Sequence, residues 1–264
     1  MRAGLKKGTA RTPFLLAKSA EPWAGMCDTS PSAKGRDMSD AAHQAHIQSV
    51  LTLIDQRIQT GRRTVVAIAG PPASGKSTLA EAVVQQLNQQ AIEAPAYQAA
   101  LLPMDGYHLD NVTLDQRGLR ARKGSVDTFA AAEFCAAVRA VAELGSAHDL
   151  PGFDRDSDSV VAGQIRVDPS TQIIVVEGNY LLLDRSPWRD LQGFYAATVF
   201  VCAPRTVLRE RLMARWNDQN LSEQEAAAKV AINDLPNADV VLRERLAADL
   251  LIEHKTSDIL QSEP

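Results

Sequence analysis

The sequence lacks the features that mark several large protein classes. Its 264 residues include three cysteines, Cys27, Cys135 and Cys202, which form no C-x-x-C pair and are odd in number. This usage argues against a disulfide framework or a zinc site and favours a reducing cytoplasm. No apolar run approaches the roughly 18 residues that span a bilayer. The net charge of −4 gives no reason to expect a nucleic acid or a membrane surface as a partner.

The first forty residues differ in composition from the rest of the chain. They hold seven Lys or Arg against four acids, are rich in Gly, Pro, Ser and Ala, and show no sustained periodicity. No acid precedes Glu21, and this gives the segment a faint likeness to a transit peptide. The run "FLLA" is too short for the apolar core of a signal peptide. We expect residues 1–38 to form a disordered leader, with Met38 as an alternative start, and residues 39–264 to form one domain.

From residue 39 onward, short β-branched runs alternate with helical patterns. Apolar spacing predicts helices at 39–60, 76–91, 129–144, 204–217, 222–233 and 236–246. Buried-type runs predict strands at 64–69, 98–102, 172–178, 196–203 and 249–253, and residues 150–170 carry only short extended pieces and turns. This alternation predicts a three-layer α/β/α domain around a mostly parallel, five-stranded sheet.

The segment "GPPASGKST", residues 70–78, matches the pattern G-x-x-x-x-G-K-[ST] and lies between a predicted strand and a predicted helix. Its glycines allow backbone N–H groups to turn inward around phosphates, and the helix N-terminus adds a positive dipole end. Lys76 should reach the β and γ phosphates, Ser77 should ligate Mg²⁺, and Thr78 should reach the α phosphate. The predicted nucleotide-binding residues of this loop are Gly70, Ala73, Ser74, Gly75, Lys76, Ser77 and Thr78. Pro72 has no N–H to donate.

Asp105 follows the second predicted strand. Ligands of open α/β sheets bind beyond the carboxyl ends of the strands, so we expect Asp105 on the same rim as the phosphate loop, in a neighbouring strand. A carboxylate there can accept a proton from a substrate hydroxyl. The alternative is a turn or helix-cap Asp before Gly106.

Four segments in fixed order carry a family resemblance: "GPPASGKST", "MDGYHLDN", "RGLRARKG" and "IIVVEGNYLLLD". Together they resemble the phosphoribulokinase, uridine kinase and pantothenate kinase family of P-loop kinases. With "NDLPNA" near the C-terminus, they look most like its bacterial fructose-transport or nucleoside kinase-like branch. The resemblance covers about residues 45–255. It implies a P-loop NTPase fold with a helical lid at about 204–234, and the use of ATP and Mg²⁺.

The resemblance also implies roles for individual residues. Asp105 matches the general base, and Glu177 matches the acid that orients the Mg²⁺ shell, although a Glu before a Gly can also be a structural turn. Arg211 and Arg215 match lid arginines that close over the transferring phosphate, and a solvated helix face is the alternative. Asn237, with Asn233 and Asp234 nearby, falls on the expected adenine side.

Further residues are implied at the acceptor side of the site. Tyr107 and His108 should wall the pocket. Arg122 and Lys123 either pair with an acidic group of the substrate or cap a helix end. Asp154 and Arg155 are substrate candidates, with a surface ion pair as the alternative. Ala130 stands where that branch usually has an aspartate. If that carboxylate normally touches the acceptor, we expect the substrate here to differ or to bind more weakly.

The leading hypothesis is therefore a kinase that transfers the γ-phosphate of ATP to a hydroxyl of a small metabolite. A sugar or polyol is favoured, with a nucleoside such as uridine or a pantothenate-like compound as the alternative. From other classes, a P-loop switch ATPase and a non-catalytic nucleotide-binding regulator stay open. The expected partner is a small molecule, and neither nucleic acid nor membrane is expected. A homodimer is an open option because many relatives are dimers.

Overall fold

A computed structural model describes residues 40–93 and 97–254. The predicted leader at 1–38 and Cys27 lie outside these residues. The strands are β1 Thr64–Ala69, β2 Ala99–Pro103, β3 His148–Asp154, β4 Ser159–Val167, β5 Ile173–Gly178, β6 Ala197–Cys202 and β7 Leu250–Glu253. The helices are α1 Asp40–Asp55, α2 Lys76–Glu93, α3 Asn111–Gln116, α4 Ala131–Val141, α5 Arg205–Asp218, α6 Glu223–Lys229 and α7 Leu235–Arg243.

The central sheet has five parallel strands in the order β2-β5-β1-β6-β7. Strands β1, β5 and β6 are buried along their whole length, as expected for β-branched runs in a sheet that is covered on both faces. The predicted α/β fold with a five-stranded, mostly parallel sheet is confirmed. We expected β1 and β2 to be adjacent strands. This prediction is wrong, because β5 pairs with both of them and lies between them.

Two hydrophobic cores cover the two faces of this sheet. On one face, apolar residues of α1 and α2, including Ile47, Val50 and Val83, pack on alternate residues of the strands. On the other face, the core is formed by α4 and by the segments that follow β2 and β5. The helix predicted at 129–144 is shorter in the structure, since α4 ends at Val141 and Leu144 is 44% exposed.

Strands β3 and β4 form an antiparallel pair outside the main sheet. The sequence predicted only short extended pieces in this region. The pair packs against a 3₁₀ turn, Met104–Tyr107, that continues β2. At the contact, a Cβ on Gly106 would collide with the carbonyl oxygen of Pro151, so only glycine allows the two backbones to approach this closely. This packing holds Arg155, which follows β3, close to Asp105, which lies in the 3₁₀ turn after β2.

The segment after β6 forms the helical lid. It consists of α5, α6 and α7, and a π-helical segment, Val230–Asp234, joins α6 to α7. Ser222 and Glu225 form a capping box at the start of α6. The two helices predicted at 222–233 and 236–246 are thus one continuous helical path with a π segment in the middle. In the described ranges, no helix has the length and apolar character to cross a membrane.

Candidate active site

The phosphate loop connects the end of β1 to the start of α2. Two of its residues have left-handed backbone conformations, Ala73 with φ of 62° and Gly75 with φ of 91°. A Cβ on Gly70 would collide with the carbonyl oxygen of Val201 in β6. The Ser74 hydroxyl is buried and has no hydrogen-bond partner among the described residues. The loop therefore has the tight inward turn that a phosphate-binding backbone needs.

The phosphate loop and β5 are in contact through three side chains, those of Lys76, Ser77 and Glu177. Lys76 Nζ lies 3.4 Å from Glu177 Oε1, and the Ser77 hydroxyl donates to the same oxygen over 3.1 Å. Burial raises the pKa of the Glu177 carboxyl, and the positive charge of Lys76 opposes this rise. The contact exists because Glu177 lies near the carboxyl end of β5, which pairs in parallel with β1, and its partner in the register is Ile68.

The Ser77 hydroxyl and the Glu177 carboxylate are oxygen groups of the kind that bind a magnesium ion. Mg²⁺ takes oxygen ligands and in nucleotide sites is held by one or two protein groups together with the phosphates. The Ser77 hydroxyl and the Glu177 carboxylate are adjacent and lie at the N-terminus of α2, beside the phosphate loop. The donor set therefore fits a phosphate-bound Mg²⁺.

Asp105 lies on the 3₁₀ turn after β2 and lines the same cleft as Lys76. Its Oδ2 accepts a hydrogen bond from Arg155 Nη2 at 3.0 Å. Burial would raise the pKa of the Asp105 carboxyl, but electrostatic interactions outweigh burial and lower it overall; they come from His108, Arg155, Lys76 and Arg215. The carboxylate is therefore ionised at neutral pH and able to accept a proton.

The cleft has a volume of about 750 Å³ and joins the phosphate loop, the Asp105 turn, the β3–β4 pair and the lid. This volume lies in the range of sites for small molecules and cofactors. At the acceptor end, the His108 ring lies between two phenylalanine rings, 4.1 Å from the Phe129 centroid and 4.8 Å from the Phe153 centroid. His108 Nδ1 donates to the Asp105 carbonyl oxygen over 2.8 Å. Burial lowers the pKa of His108.

The structure places Lys123 and Arg155 in the cleft, as expected for substrate candidates. It places three other candidates elsewhere. Tyr107 was expected to wall the pocket, but its ring is 7% exposed and packs edge-on against Phe134 in the core. Asp154 accepts hydrogen bonds from Ser157 and from the Asp156 backbone, so it holds the β3–β4 turn.

Arg122 is exposed and does not line the cleft, whereas Arg120 of the same 3₁₀ turn, Arg120–Arg122, does. A single turn cannot direct both side chains to the same side. The sequence pattern therefore identified the correct turn but the wrong arginine.

The lid contributes both predicted arginines to the cleft. Arg211 Nη1 donates to the Ala73 carbonyl oxygen over 3.3 Å, which ties α5 to the phosphate loop. The Arg215 guanidinium lies 5.4 Å from the Trp216 ring centroid. Arg211 therefore lies beside the phosphate loop, and Arg215 lies near enough to the Asp105 carboxylate to interact with it electrostatically.

Asn237 and Asp234 line the cleft from the π segment and α7, and Asn233 is buried behind them. Asn233 Nδ2 donates to the Lys123 carbonyl oxygen over 2.9 Å. Asp234 accepts from Trp216 Nε1 over 2.6 Å. The first bond connects the lid to the wall that carries Lys123, and the second lies within the lid, between α5 and the π segment.

Asn179 and His254 are among the cleft residues that the sequence did not indicate. The Oδ1 atom of Asn179 is buried without a hydrogen-bond partner in the part of the chain that the structure describes, and Asn179 lines the cleft. His254, directly after β7, also lines it and stacks on His46 with ring centroids 5.6 Å apart. Both are polar residues at carboxyl ends of strands, the signal that identified Asp105.

Ala130 lies at the N-cap of α4, where no side chain caps the helix, and it does not line the cleft. An aspartate here would accept a hydrogen bond from the first turn of α4. We therefore expect Ala130→Asp to raise the free energy of unfolding by about 1 kcal/mol, measured by chemical denaturation. A change in the KM for the acceptor without a gain in stability would instead place this position in the acceptor site.

Comparisons with known proteins identify what this chain is similar to. The model of the "Phosphoribulokinase / Uridine kinase family" matches residues 65–219, the span from β1 through the first lid helix. "Uncharacterized protein YggC" of Escherichia coli (strain K12) is 39% identical over 198 residues, which cover 75% of this chain and 81% of that protein. "Putative uridine kinase C227.14" of Schizosaccharomyces pombe is 30% identical over 199 residues, which cover 73% and 83%.

A solved structure is also similar. The crystal structure of a "putative fructose transport system kinase" from Silicibacter sp. TM1040 superposes with a TM-score of 0.71 at 39% identity. The match covers 79% of this chain and 98% of that one.

Proposed function

The chain belongs to the phosphoribulokinase/uridine kinase family and is an ATP-dependent P-loop kinase, and we propose that it transfers the γ-phosphate of ATP to a hydroxyl group of a small sugar or polyol. The observation that carries this proposal is the position of Asp105. Its ionised carboxylate lines the same cleft as Lys76 of the phosphate loop. An alcohol bound between them would have its oxygen directed at the terminal phosphate.

Asp105 is the proton acceptor in this proposal. The acceptor hydroxyl donates a hydrogen bond to the Asp105 carboxylate and passes its proton there as its oxygen bonds to the γ-phosphorus and the bond to the β-phosphate oxygen breaks. Because the transition state of phosphoryl transfer is loose, alignment of the hydroxyl matters more than the basicity of Asp105. An aspartate with a low pKa therefore suffices.

The remaining groups hold the triphosphate. Lys76 and the phosphate-loop N–H groups neutralise and orient the β and γ phosphates. Arg211 and Arg215 approach from the lid, and Arg211 is already tied to the loop through Ala73. Ser77 and Glu177 would hold Mg²⁺, which when bound neutralises charge that develops on the phosphates.

The acceptor end of the cleft supports a sugar or polyol. The rings of Phe129, His108 and Phe153 form an aromatic stretch of the cleft wall that can contact the C–H groups of a carbohydrate, and Asp105 offers an acceptor for its hydroxyls. The description of the solved relative as a "putative fructose transport system kinase" supports this choice. A nucleoside is the second candidate, because the same aromatic wall can contact a base and one relative is described as a "putative uridine kinase". We also propose a cytoplasmic location, in keeping with an odd number of cysteines that form no C-x-x-C pair.

The experiment that tests this function measures ADP release with Mg²⁺ and ATP alone, and then with single sugars, polyols and nucleosides added. We expect at least one hydroxylated compound to raise the rate clearly above the rate without acceptor, because lid closure is productive only when an acceptor is bound. Equal rates with and without every acceptor would favour a switch ATPase. The absence of both ADP release and ATP-dependent stabilisation would contradict nucleotide use altogether.

A further inference from the structure

Asn179 is a residue of the cleft to which the proposed reaction assigns no role. It directly follows β5 and lines the cleft together with Asp105 and Lys76. Its Oδ1 atom is buried and has no hydrogen-bond partner within residues 40–93 and 97–254. A buried polar atom without a partner is rare in folded proteins and needs a specific explanation. Because this amide belongs to the wall of a binding cleft, a partner that arrives with the ligand is such an explanation.

The order of the strands places Asn179 between the proton acceptor and the phosphate loop. Strand β5 pairs with β2 on one side and with β1 on the other. Asp105 lies in the turn after β2, and the phosphate loop follows β1. Neighbouring strands of a sheet lie about 4.8 Å apart. The residue after β5 is therefore one strand away from the carboxylate that receives the proton and one strand away from the loop that holds the phosphates.

The backbone on both sides of Asn179 is fixed by packing. Before it, a Cβ on Gly178 would collide with the side chain of Met104, so β5 ends in direct contact with the turn after β2. After it, Tyr180 is 1% exposed, and its hydroxyl donates to the Gly124 carbonyl oxygen over 2.8 Å. The amide of Asn179 is thus held at this position before a ligand binds, which reduces the entropy lost on binding.

The chemistry of an amide narrows the choice of partner. Its oxygen accepts hydrogen bonds and its nitrogen donates them, and a half-turn of the side chain exchanges the two. The oxygens of an ionised phosphate only accept, and a water bound to Mg²⁺ is chiefly a donor. A hydroxyl both donates and accepts, so it pairs with the amide in either orientation. Asp105 is assigned to the hydroxyl that reacts, which leaves Asn179 for a second one.

From this position, and resting on the kinase function proposed above, we infer that the acceptor carries two hydroxyls on adjacent carbons and that Asn179 binds the one that is not phosphorylated. Hydrogen bonds of about 2.7–2.8 Å allow two neighbouring hydroxyls to reach groups at the ends of adjacent strands. Asn179 therefore determines specificity. An acceptor without the second hydroxyl leaves the amide unpaired, and sites built for a hydroxyl reject such analogues strongly.

The test compares acceptors that differ in one hydroxyl. The pairs are glycerol with 1,3-propanediol, D-ribose with 2-deoxy-D-ribose, and D-fructose with 2,5-anhydro-D-mannitol. In each pair the second compound lacks the hydroxyl at C2. Acceptor-dependent ADP release gives kcat/KM for the wild type, Asn179→Ala and Asn179→Leu, and ³¹P NMR locates the phosphorylated carbon. The matched control is Asn217→Ala, at an exposed asparagine of α5 outside the cleft.

We expect phosphorylation next to C2, and a kcat/KM for the first member of at least one pair that is about tenfold or more above that of the second, the scale of one lost hydrogen bond. The difference should arise mainly in the KM, because the second hydroxyl does not react. Both Asn179 variants should bring this ratio close to one, chiefly by lowering the value for the first member. The control should preserve the ratio.

Three outcomes would overturn the inference and leave the kinase function intact. One is a ratio that is near one in the wild type, or that neither substitution changes. Another is efficient phosphorylation of a carbon whose neighbours carry no free hydroxyl, such as C5 of ribofuranose. The third is an equal loss for both members together with a higher Mg²⁺ requirement, which would place Asn179 in the metal shell.

ADP release unaffected by all six compounds would count against the proposed kinase function, and the inference falls with it. Each ratio is independent of the amount of folded enzyme, so a partly destabilised variant still gives an answer. Asn179→Leu fills the space that Asn179→Ala leaves empty, and agreement between the two variants therefore separates the lost hydrogen bond from a packing defect.

Discussion

Replacing Asp105 by asparagine is expected to lower kcat by about a hundredfold or more, the range of general-base catalysis, and to leave the affinity for ATP nearly unchanged. Asparagine keeps the size and the hydrogen-bonding ability of the side chain but cannot take the hydroxyl proton. It also removes the ion pair with Arg155, which is half exposed and contributes little to stability. The loss should therefore appear in turnover rather than in the melting temperature.

The control for this variant is Asp110→Asn, five residues further along. Asp110 is outside the cleft and caps α3 through Thr113, a role that asparagine also fills. Steady-state kinetics with a productive acceptor and calorimetric titration with ATP give the two readouts. Turnover of Asp105→Asn within about threefold of the wild type would remove Asp105 from the base role.

Replacing Lys76 by methionine is expected to lower kcat by about a hundredfold to a thousandfold, the cost of removing one charge that stabilises a transition state, and also to weaken ATP binding. Methionine keeps the length of the side chain and removes its charge. The same change leaves the buried Glu177 without the ammonium that lies 3.4 Å away. A fall in the free energy of unfolding should accompany the loss of activity, because a buried carboxylate has lost its charge partner.

A second substitution separates these two effects. In Lys76→Met/Glu177→Gln the buried carboxylate is gone, and Ser77 can still donate to the amide oxygen. We expect the double variant to regain much of the lost stability and none of the lost activity. Recovery of turnover together with stability would show that Lys76 is structural, and full ATP affinity in the single variant would contradict its position at the phosphates.

The sequence alone predicted the local parts of this fold well. The strands β1, β5 and β6 are apolar and β-branched throughout, and each begins and ends within one residue of its predicted range. The phosphate loop was recognisable because its glycines and Lys76 are fixed relative to one another along the chain. These features depend on contacts between near neighbours, so the sequence specifies them directly.

The arrangement of these parts could not be predicted in the same way. The pairing of β5 between β1 and β2 joins segments that are about a hundred residues apart, and it is what places Glu177 beside Lys76. The β3–β4 pair was not expected as a separate sheet, although it brings Arg155 to Asp105. The order of the strands and the packing of the β3–β4 pair on the turn after β2 are decided by contacts across the whole domain.

The errors at the site have a common cause. Tyr107 and His108 are consecutive, but the turn directs Tyr107 into the core and His108 into the cleft. In the same way, Arg120 lines the cleft and Arg122 of the same 3₁₀ turn does not. In such tight turns no period of 2 or 3.6 residues applies, so the side of each residue follows from the packing partner. Asn179 and His254 could have been predicted from the sequence. Both directly follow strands, and ligands of such sheets bind beyond the carboxyl ends of the strands.

The most direct test of the account follows the γ-phosphate itself. ³¹P NMR of a reaction with ATP, Mg²⁺ and an acceptor that stimulates ADP release would show where the phosphoryl group goes. The account predicts a new phosphomonoester signal that grows in step with ADP, and its loss in Asp105→Asn. Inorganic phosphate in step with ADP, with no phosphomonoester for any acceptor that accelerates the reaction, would contradict transfer to an alcohol.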